Sequence, residues 1–289
     1  MPNESLGNKQ LMRVTGLLVI EAINSNPNGD PDRESDPRQR PDERGEISPV
    51  SFKRKVRDLV EEKEGPVWAS IAGRFAPPLA PAEFSILESR GRDRKTIEKE
   101  IKAGTFVSRY WDGRVFGNTF LEEGASTSIK TGVAQFGLAV SVAPILIERM
   151  TNTNMAGVQE GKDRGMAPLA YRIVQHGVYC MPFFINPQVA GKSGCTERDI
   201  DVLRHVIPFA YRQTASYVRP FVGLRHAWWI EHKSALGSCS DFALIGALMP
   251  KKRAEPNQPS KGWDEYDVPS KLPPELEARI AACLDLMNA

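Results

Sequence analysis

The hydrophobic pattern of the chain predicts strands that alternate with helices. The continuous apolar run Leu17–Ile20 predicts a buried strand, and Tyr171–Ile185 and Leu224–His232 are rich in residues that favour strands. Gly132–Val142 predicts a further strand with small residues on one side. This alternation favours an α+β fold of the ferredoxin-like type.

The clearest helix is predicted to begin at Pro49, with Ser48 as its N-cap. Its apolar stripe follows helical spacing and consists of Phe52, Val56, Leu59 and Val60. Another helix is predicted after Thr196, and the apolar spacing of the tail predicts a C-terminal helix over residues 274–288. Asp241–Met249 is compatible with either a strand or a helix.

Two stretches interrupt the alternation and are predicted to be insertions in a single domain of residues 1–289. Gly65–Thr105 is poorly periodic and contains the proline-rich segment Ala76–Pro81, although Thr96–Lys102 favours a helix. Arg149–Pro168 contains Gly, Asn and Met without a period, which predicts a projecting hairpin or loop.

Composition is ordinary for a soluble globular protein, with 289 residues of which 41% are apolar and 26% charged. No apolar run approaches the roughly 18 residues that cross a bilayer, and the first residues are polar, so we expect a cytoplasmic protein without a membrane partner. We expect free thiols, with no disulfide framework, zinc site or cofactor, because four cysteines lie far apart: Cys180, Cys195, Cys239 and Cys283.

The net charge of +2 gives no global argument for nucleic acid, but the distribution of charge does. Between Arg33 and Arg57 the chain has eight Lys or Arg against five Asp or Glu. Lys251–Arg253 forms a further basic cluster. Another group of cations lies in the first insertion and consists of Arg90, Arg92, Arg94 and Lys95. Each cluster alone is more often a solvated face than a nucleic-acid site.

The segment Asn26–Pro31 joins the first strand to the basic helix, and its two prolines and one glycine fix its shape. Asn28-Gly29 predicts a turn with positive φ. Four cations follow in Lys53–Arg57, where the helix dipole disfavours them unless an anion such as phosphate lies nearby. Arg54 and Arg57 are predicted opposite the apolar stripe. The alternative is a soluble amphipathic helix with a charged back.

These motifs resemble a known family, the guide-RNA-coating backbone subunit of type I CRISPR interference complexes (Cascade), with subtypes I-C and I-B as the most similar branch. N-P-N-G-D-P at Asn26–Pro31, then a glycine and K-R-K-x-R at Gly45–Arg57, are the most specific match. Further matches follow in order and are W-D-G-R-V-F-G at Trp111–Gly117, T-G-V-A-Q at Thr131–Gln135, E-R-M-T-N-T at Glu148–Thr153, V-Q-H-G-V-Y at Val174–Tyr179 and H-K-S-A-L-G at His232–Gly237.

The resemblance implies a palm with a fingers insertion over residues 61–108 and a thumb insertion over residues 149–170. It implies a non-catalytic protein that polymerises along CRISPR RNA, contacts further copies of itself and other Cascade subunits, and displays the guide for pairing with target DNA. Recognition of sequence would then rest on base pairing, while the protein holds the RNA backbone.

The resemblance also implies roles for individual residues. Those expected to contact RNA are Asn26, Asn28, Lys53, Arg54, Arg57, Lys130, Gln135, Arg149, Met150, Thr151, Met166 and Arg172. Three methionines, Met150, Met155 and Met166, are expected to act as wedges against bases. Those expected to face target DNA, with a weaker basis, are Arg90, Arg92, Arg94 and Lys95.

A CRISPR RNA-processing endoribonuclease of the related RNA-recognition-type fold is the first alternative. General acid–base cleavage needs a histidine with a partner, and the candidates are His176, His205, His226 and His232. His176 and His232 lie in predicted strands, where a hydrogen-bonded core histidine is the commoner arrangement.

A calcium loop at Asp30–Asp36 is the second alternative. The alternating acids fit its start, but Ser35 occupies the position of the glycine and Pro41 that of the bidentate glutamate. We therefore predict no metal site.

Overall fold

The computed structural model describes residues 11–89, 94–117, 131–155 and 166–288. At residues 94, 150–155 and 166–171 it describes the backbone alone. Its strands are β1 Val14–Ser25, β2 Gly29–Asp30, β3 Asp36–Pro37, β4 Arg44–Ile47, β5 Ala134–Phe136, β6 Ala139–Pro144, β7 Ile147–Met155, β8 Met166–Ile185, β9 Val222–His232, β10 Lys251–Lys252, β11 Tyr266–Asp267 and β12 Ile280–Asp285. Its helices are α1 Pro49–Glu61, α2 Pro66–Ala72, α3 Arg94–Lys102, α4 Phe106–Arg109, α5 Trp111–Phe116, α6 Ala190–Ser193, α7 Glu197–Val206, α8 Asp241–Leu248 and α9 Pro274–Glu277.

The central antiparallel sheet has the order β12-β9-β1-β8-β6-β4, and β5 and β7 also pair with β8. Six of the elements, β1, α1, β6, β8, α7 and β9, follow the β-α-β-β-α-β order of a ferredoxin-like fold along the chain. In the sheet these four strands lie in the order fourth, first, third, second. The α+β prediction is confirmed.

Strand β1 is buried on both faces, which explains its continuous apolar run. Leu18 and Ile20 belong to the core shared with α1 and α7. Leu17 and Val19 belong to a second core, shared with α8 and with the segments around Tyr266 and Leu272. Burying each such side chain contributes about 1.5–3 kcal/mol, so both layers hold the strand in place.

Helix α1 forms as predicted. The Ser48 hydroxyl accepts a hydrogen bond from the Ser51 amide at 3.2 Å, and Pro49 occupies the first helical position. Phe52, Val56 and Val60 are fully buried against the sheet. The predicted N-cap of α7 is also confirmed, because Thr196 forms a capping box with Asp199.

Other predictions change in the structure. Gly132–Val142 is not one strand, because β5 and β6 are separated at Gly137-Leu138. The ambiguous segment Asp241–Met249 contains helix α8, Asp241–Leu248, which is capped by the Ser240 hydroxyl, an acceptor for the Ala243 amide. The four cysteines are free thiols, as predicted. Within the described ranges, no helix has both the length and the apolar character of a membrane span.

The predicted C-terminal helix over 274–288 is wrong. Only Pro274–Glu277 is helical, and Ile280–Asp285 forms β12, which pairs antiparallel with β9. The apolar residues of the tail fit helical spacing, but the outer edge of β9 offers backbone donors and acceptors that a strand satisfies and a helix does not. Ile280 is buried in this arrangement, while Leu284 stays largely exposed.

Candidate nucleic-acid interface

The loop of residues 26–37, here called the Asn26 loop, is held by its own asparagines. Asn26 is buried, and its Nδ2 donates to the carbonyl of Ser35 at 2.8 Å. The Asn28 Oδ1 accepts from the Ser48 amide at 2.7 Å, which joins the loop to the start of α1. Asn26 therefore shapes the surface from within, and the half-buried Asn28 fixes it to α1, while their contact with RNA stays a prediction.

The predicted positive φ at Asn28-Gly29 is wrong. Gly29 lies in the short strand β2, and the left-handed residues of this region are Asn24, Glu34 and Ser35. A Cβ on Gly29 would lie 3.1 Å from the Ser35 carbonyl oxygen, so the glycine permits the loop to fold back on itself. The close approach of Ser35 to Gly29 defines the path of the loop, and its stiffness stays a prediction.

The hairpin of β7 and β8 is joined to the Asn26 loop by arginines at its base. Arg149 and Arg172 are paired across the two strands. Arg149 Nη2 bonds Asp36 Oδ2 at 2.5 Å, and this hydrogen bond lowers the pKa of Asp36. Arg172 Nε lies 3.3 Å from Asp36 Oδ1, and its guanidinium also bonds the side chain of Glu34, lowering the pKa of that carboxyl.

These ion pairs balance the charge at the hairpin base, with two guanidiniums against two carboxylates. These two carboxylates, of Glu34 and Asp36, belong to the acidic segment Asp30–Asp36 that suggested a calcium loop. A third, Asp30, accepts from the Asp32 amide and lies 3.6 Å from Arg38. Among the residues that the structure describes, no three His, Cys, Asp or Glu side chains are grouped so as to hold a metal ion.

Arg57 does not lie on an exposed face of α1, and this prediction is wrong. Its side chain is only 4% exposed, and its Nε bonds Asp112 Oδ2 at 2.9 Å while Nη1 lies 3.1 Å from Glu88 Oε2. The guanidinium also packs 5.0 Å from the centre of the Phe116 ring. Helix α5 covers this side of α1 and supplies the buried carboxylate that a buried cation requires.

Lys53 and Arg54 stay closer to solvent on the same helix. Lys53 Nζ lies 5.3 Å from the centre of the Phe116 ring, and burial, then the charge of Arg57, lowers the pKa of Lys53. Arg54 bonds Asp58 at 3.2 Å and also the carbonyl of Glu88. The carboxylate of Asp58 beside Arg54 is half-exposed, whereas the Phe116 ring beside Lys53 is buried.

Lys55 lies on the opposite flank of α1 and is buried beside residues 212–221, here called the Tyr217 loop. Its Nζ donates to Thr214 Oγ1 at 2.9 Å and lies 5.1 Å from the centre of the Tyr211 ring. Burial, followed by the charge of Arg219, lowers the pKa of Lys55 to about 8, although Asp58 acts in the opposite direction. Lys55 is one of the four cations of Lys53–Arg57 that are predicted to lie near phosphate, although it is not among the individual residues expected to contact RNA.

The Tyr217 loop itself was missed. Tyr217 and Phe221 are 65% and 62% exposed, which is high for aromatic side chains. The Asn26 amide donates to the Val218 carbonyl at 2.7 Å, so this loop and the Asn26 loop form one continuous surface with the start of α1. The signal was in the sequence: Tyr217-Val218-Arg219-Pro220-Phe221 interleaves aromatic and basic residues without an apolar period.

The remaining candidates are distributed as follows. The Gln135 side chain is exposed, and its Nε2 donates to the Gly132 carbonyl at 2.9 Å. By their backbones, Met150, Thr151 and Met155 belong to β7, Met166 begins β8 and Arg94 begins α3, where Lys95 is exposed. Lys130, Arg90 and Arg92 lie outside the described residues. Helix α3 packs on α4 through Ile97 and Phe106, away from the Asn26 loop.

The histidines of the endoribonuclease alternative have structural partners. His176 is buried and bonds Glu21 at 3.0 Å and Ser260 at 2.7 Å. His232 is buried between Thr15 and Ser238, and burial lowers its pKa. His205 bonds the Asp201 carbonyl, and His226 bonds Asp285 while stacking on Trp228. The expectation that His176 and His232 are hydrogen-bonded core residues is confirmed.

Comparisons with known proteins relate the chain to CRISPR systems. It is similar to a chain of "CRISPR RNA-guided surveillance complex, pre-nicking", with 17% identity, 75% of this chain and 77% of that chain covered, and a TM-score of 0.47. It is also similar to chains of "CRISPR RNA-guided surveillance complex" and of "Cryo-EM structure of the Type III-B Cmr-beta bound to cognate target RNA". The match to the first has 17% identity and covers 75% of this chain and 68% of that chain, with a TM-score of 0.42. The match to the second has 13% identity and covers 76% of this chain and 61% of that chain, with a TM-score of 0.42.

No curated protein sequence matches the chain. A family model does: that of the CRISPR-associated protein Cas7 matches residues 12–271. This range includes the whole ferredoxin-like core, the Asn26 loop, the described arms of the β7–β8 hairpin and the Tyr217 loop. The chain therefore belongs to the Cas7 family of CRISPR-associated proteins.

Proposed function

We propose that this protein is the guide-RNA-coating backbone subunit of a type I CRISPR interference complex, of the I-C/I-B branch. It acts without catalysis, in the cytoplasm, by polymerising along CRISPR RNA and displaying the guide for pairing with target DNA. The observation that carries the proposal is the match of the Cas7 family over residues 12–271. The ordered motifs from Asn26 to Gly237 support the branch.

The arrangement of the Asn26 loop, α1 and the Tyr217 loop supports RNA binding by the palm. These segments form a continuous surface that presents backbone, cations and aromatic rings. Such a surface suits a protein that holds phosphates and stacks bases without reading base edges. A net charge of +2 per chain is sufficient when many copies bind one RNA, because linked weak contacts add to a strong grip.

In this proposal, the hairpin of β7 and β8 is the thumb of residues 149–170, and residues 61–108 are the fingers. The register of the hairpin places Met155 opposite Met166, towards its distal end. An extended hairpin held at its base by Arg149 and Arg172 reaches beyond the sheet, as a contact with a neighbouring copy requires. The fingers carry the cations Arg90, Arg92, Arg94 and Lys95 towards target DNA.

Co-expression with a CRISPR array and the companion subunits tests the proposal. We expect high-molecular-mass particles that contain guide RNA and that fall apart on treatment with RNase. The same co-expression with an array lacking repeats is the control, and it should give no such particles. An RNA-free monomer in the presence of the array and the companion subunits would overturn the proposal.

A further inference from the structure

Two cations, Lys55 and Arg219, lie close enough at the Tyr217 loop for the charge of Arg219 to lower the pKa of Lys55. Among the described residues, the acceptors of the Lys55 ammonium are neutral, namely the hydroxyl and the carbonyl of Thr214. Arg219 makes no side-chain hydrogen bond or ion pair within the described part of the chain, and its buried Nε has no acceptor there. Asp58 is the carboxylate whose charge acts on Lys55, and it already bonds Arg54.

This arrangement is costly for the protein alone. A buried lysine normally has a carboxylate partner, and a second cation nearby raises the cost of its charge. Elsewhere in the same molecule, buried guanidiniums have such partners: Arg57 bonds Asp112, and Arg114 bonds Asp199 at 2.7 Å. Asp58 compensates the positive potential beside Lys55 only in part, because its carboxylate also bonds Arg54. An anion at this point would lower the free energy of the whole arrangement.

We propose that Lys55, Arg219 and Phe221 form a site for one phosphate and the adjacent unpaired base of a single-stranded RNA. The inference rests on the proposed function, since it assigns a particular contact to the RNA that the subunit coats. Arg219 offers the phosphate its outer Nη groups, Lys55 contributes its charge from behind, and the exposed ring of Phe221 supplies a face on which the base stacks.

The backbone around Phe221 is anchored, which favours a stacking role over that of a mobile tip. The Ile23 amide donates to the Phe221 carbonyl at 3.0 Å, and the Phe221 amide donates to Ser25 Oγ at 3.0 Å. The Arg219 amide closes a turn on the Ser216 carbonyl at 2.8 Å. Because the backbone is held in this way, little backbone entropy is lost when Arg219 and Phe221 bind a ligand.

The exposed rings distinguish single-stranded RNA from a duplex. Stacking on a side chain requires a base that is free of its pairing partner, and both Tyr217 and Phe221 present aromatic faces to solvent. The Asn26 loop continues the surface from Val218, so an RNA strand that passes over Phe221 runs on towards the start of α1.

The test is a titration of the purified protein with a short, unstructured, fluorescently labelled single-stranded RNA at several salt concentrations. Arg219→Ala should weaken binding about tenfold and reduce the dependence of log Kd on log salt by about one ion. Phe221→Ala should weaken binding about fivefold or more while leaving the salt dependence unchanged. Phe221→Tyr, which keeps an aromatic face, should bind the RNA with an affinity close to that of the wild type.

Lys251→Ala and Phe242→Ala are matched controls, since they remove an exposed cation and an exposed ring on other elements. Both should bind like the wild type. Ultraviolet cross-linking followed by mass spectrometry should place nucleotides on Tyr217 or Phe221. A base-paired form of the same RNA should bind with an affinity that Phe221→Ala does not change.

The outcomes separate the site from the function on which it rests. If the wild type binds RNA and both Arg219→Ala and Phe221→Ala bind equally well, the site is wrong and the proposed function stands. If Arg219→Ala loses affinity without a change in salt dependence, the phosphate contact is wrong. If the wild type binds no RNA, the site is wrong, and the co-expression experiment decides the proposed function separately.

Discussion

The two flanks of helix α1 use the same residue types for different purposes. On one flank, Arg57 is buried against the carboxylates of Asp112 and Glu88. On the other flank, Lys55 is equally buried, but its charged neighbour is Arg219. At 100° per residue, Lys55 and Arg57 point to opposite sides of the apolar stripe between them. A single run of cations therefore serves the core on one side and a ligand surface on the other.

Whether a cation is available to bind RNA is indicated better by its partner than by its position in a basic cluster. A buried arginine with a buried carboxylate fixes two elements together and is unavailable to RNA. A buried lysine beside another cation raises the energy of the free protein, which is tolerated where binding recovers it. The sequence of α1 alone does not distinguish a cation that is paired with a buried carboxylate from one that lies beside another cation.

Arg57→Ala should give the largest effect on stability. The substitution leaves the carboxylate of Asp112 buried without its cation, so we expect the free energy of unfolding to fall by about 3–5 kcal/mol. Arg54→Ala is the matched control on the same helix, and its exposed ion pair with Asp58 should contribute less than about 1 kcal/mol. Chemical denaturation measures both, and equal losses would contradict the assignment of Arg57 to the core.

Lys55→Met should raise the free energy of unfolding, in contrast to Arg57→Ala. It removes a charge that burial and Arg219 disfavour, and after the lost bonds to Thr214 are subtracted, we expect a gain of about 1–2 kcal/mol at neutral pH. The pKa of Lys55 is lowered in the folded state, so above about pH 8 the folded wild type loses this proton while the unfolded chain keeps it.

The stability of the wild type therefore rises relative to Lys55→Met as the pH increases through this range, and the advantage of the variant shrinks. Thermal melts at neutral and alkaline pH measure the difference. A variant that is less stable than the wild type at neutral pH would show that Lys55 supports the fold rather than a ligand.

RNA affinity should depend on pH through the same lysine. Above about pH 8, each further unit should weaken binding by up to about tenfold, until the pKa that Lys55 has in the complex is reached. Arg219 and Asp58 supply the fields that act on Lys55, and the other group facing it, Tyr211, stays neutral because burial raises its pKa. Lys55→Arg, which stays charged, should flatten the profile. The same slope in both proteins would exclude Lys55 as its cause.

The double substitution Lys53→Ala with Arg54→Ala should have the smallest effect. Both side chains are partly accessible beside α5, so we expect RNA affinity to fall a few-fold and the salt dependence to fall by about two ions at most. The melting temperature should change little, since the apolar stripe is untouched. If RNA retention is unaffected, the RNA path follows the Lys55 flank of α1 alone.

Much of the fold was predictable because its signals are local. The apolar run of β1, the N-cap and stripe of α1 and the capping box of α7 are each written within a few neighbouring residues. The tail was not predictable in this way, because β12 owes its conformation to the edge of β9. The expected turn at Asn28-Gly29 failed for a similar reason, since Ser35 approaches Gly29 from across the loop.

The candidate interface was also predictable only where its signals are local in the sequence. The basic helix, the motif at Asn26 and the family to which the chain belongs were accessible from the order of residues. Which of the cations lie on the interface was not. Arg57 is paired by Asp112, which lies 55 residues away, and Arg149 by Asp36, which lies 113 residues away.

The sequence by itself thus determined the succession of strands and helices, and with it the ferredoxin-like palm, because short-range periodicity and capping specify elements. Only the tertiary structure decided that Arg57 belongs to the core, that the tail is a strand and that Lys55 lies beside Thr214 and Tyr211, where the charge of Arg219 acts on it. These outcomes depend on burial and on the charge of distant partners, and both exist only once the chain has folded.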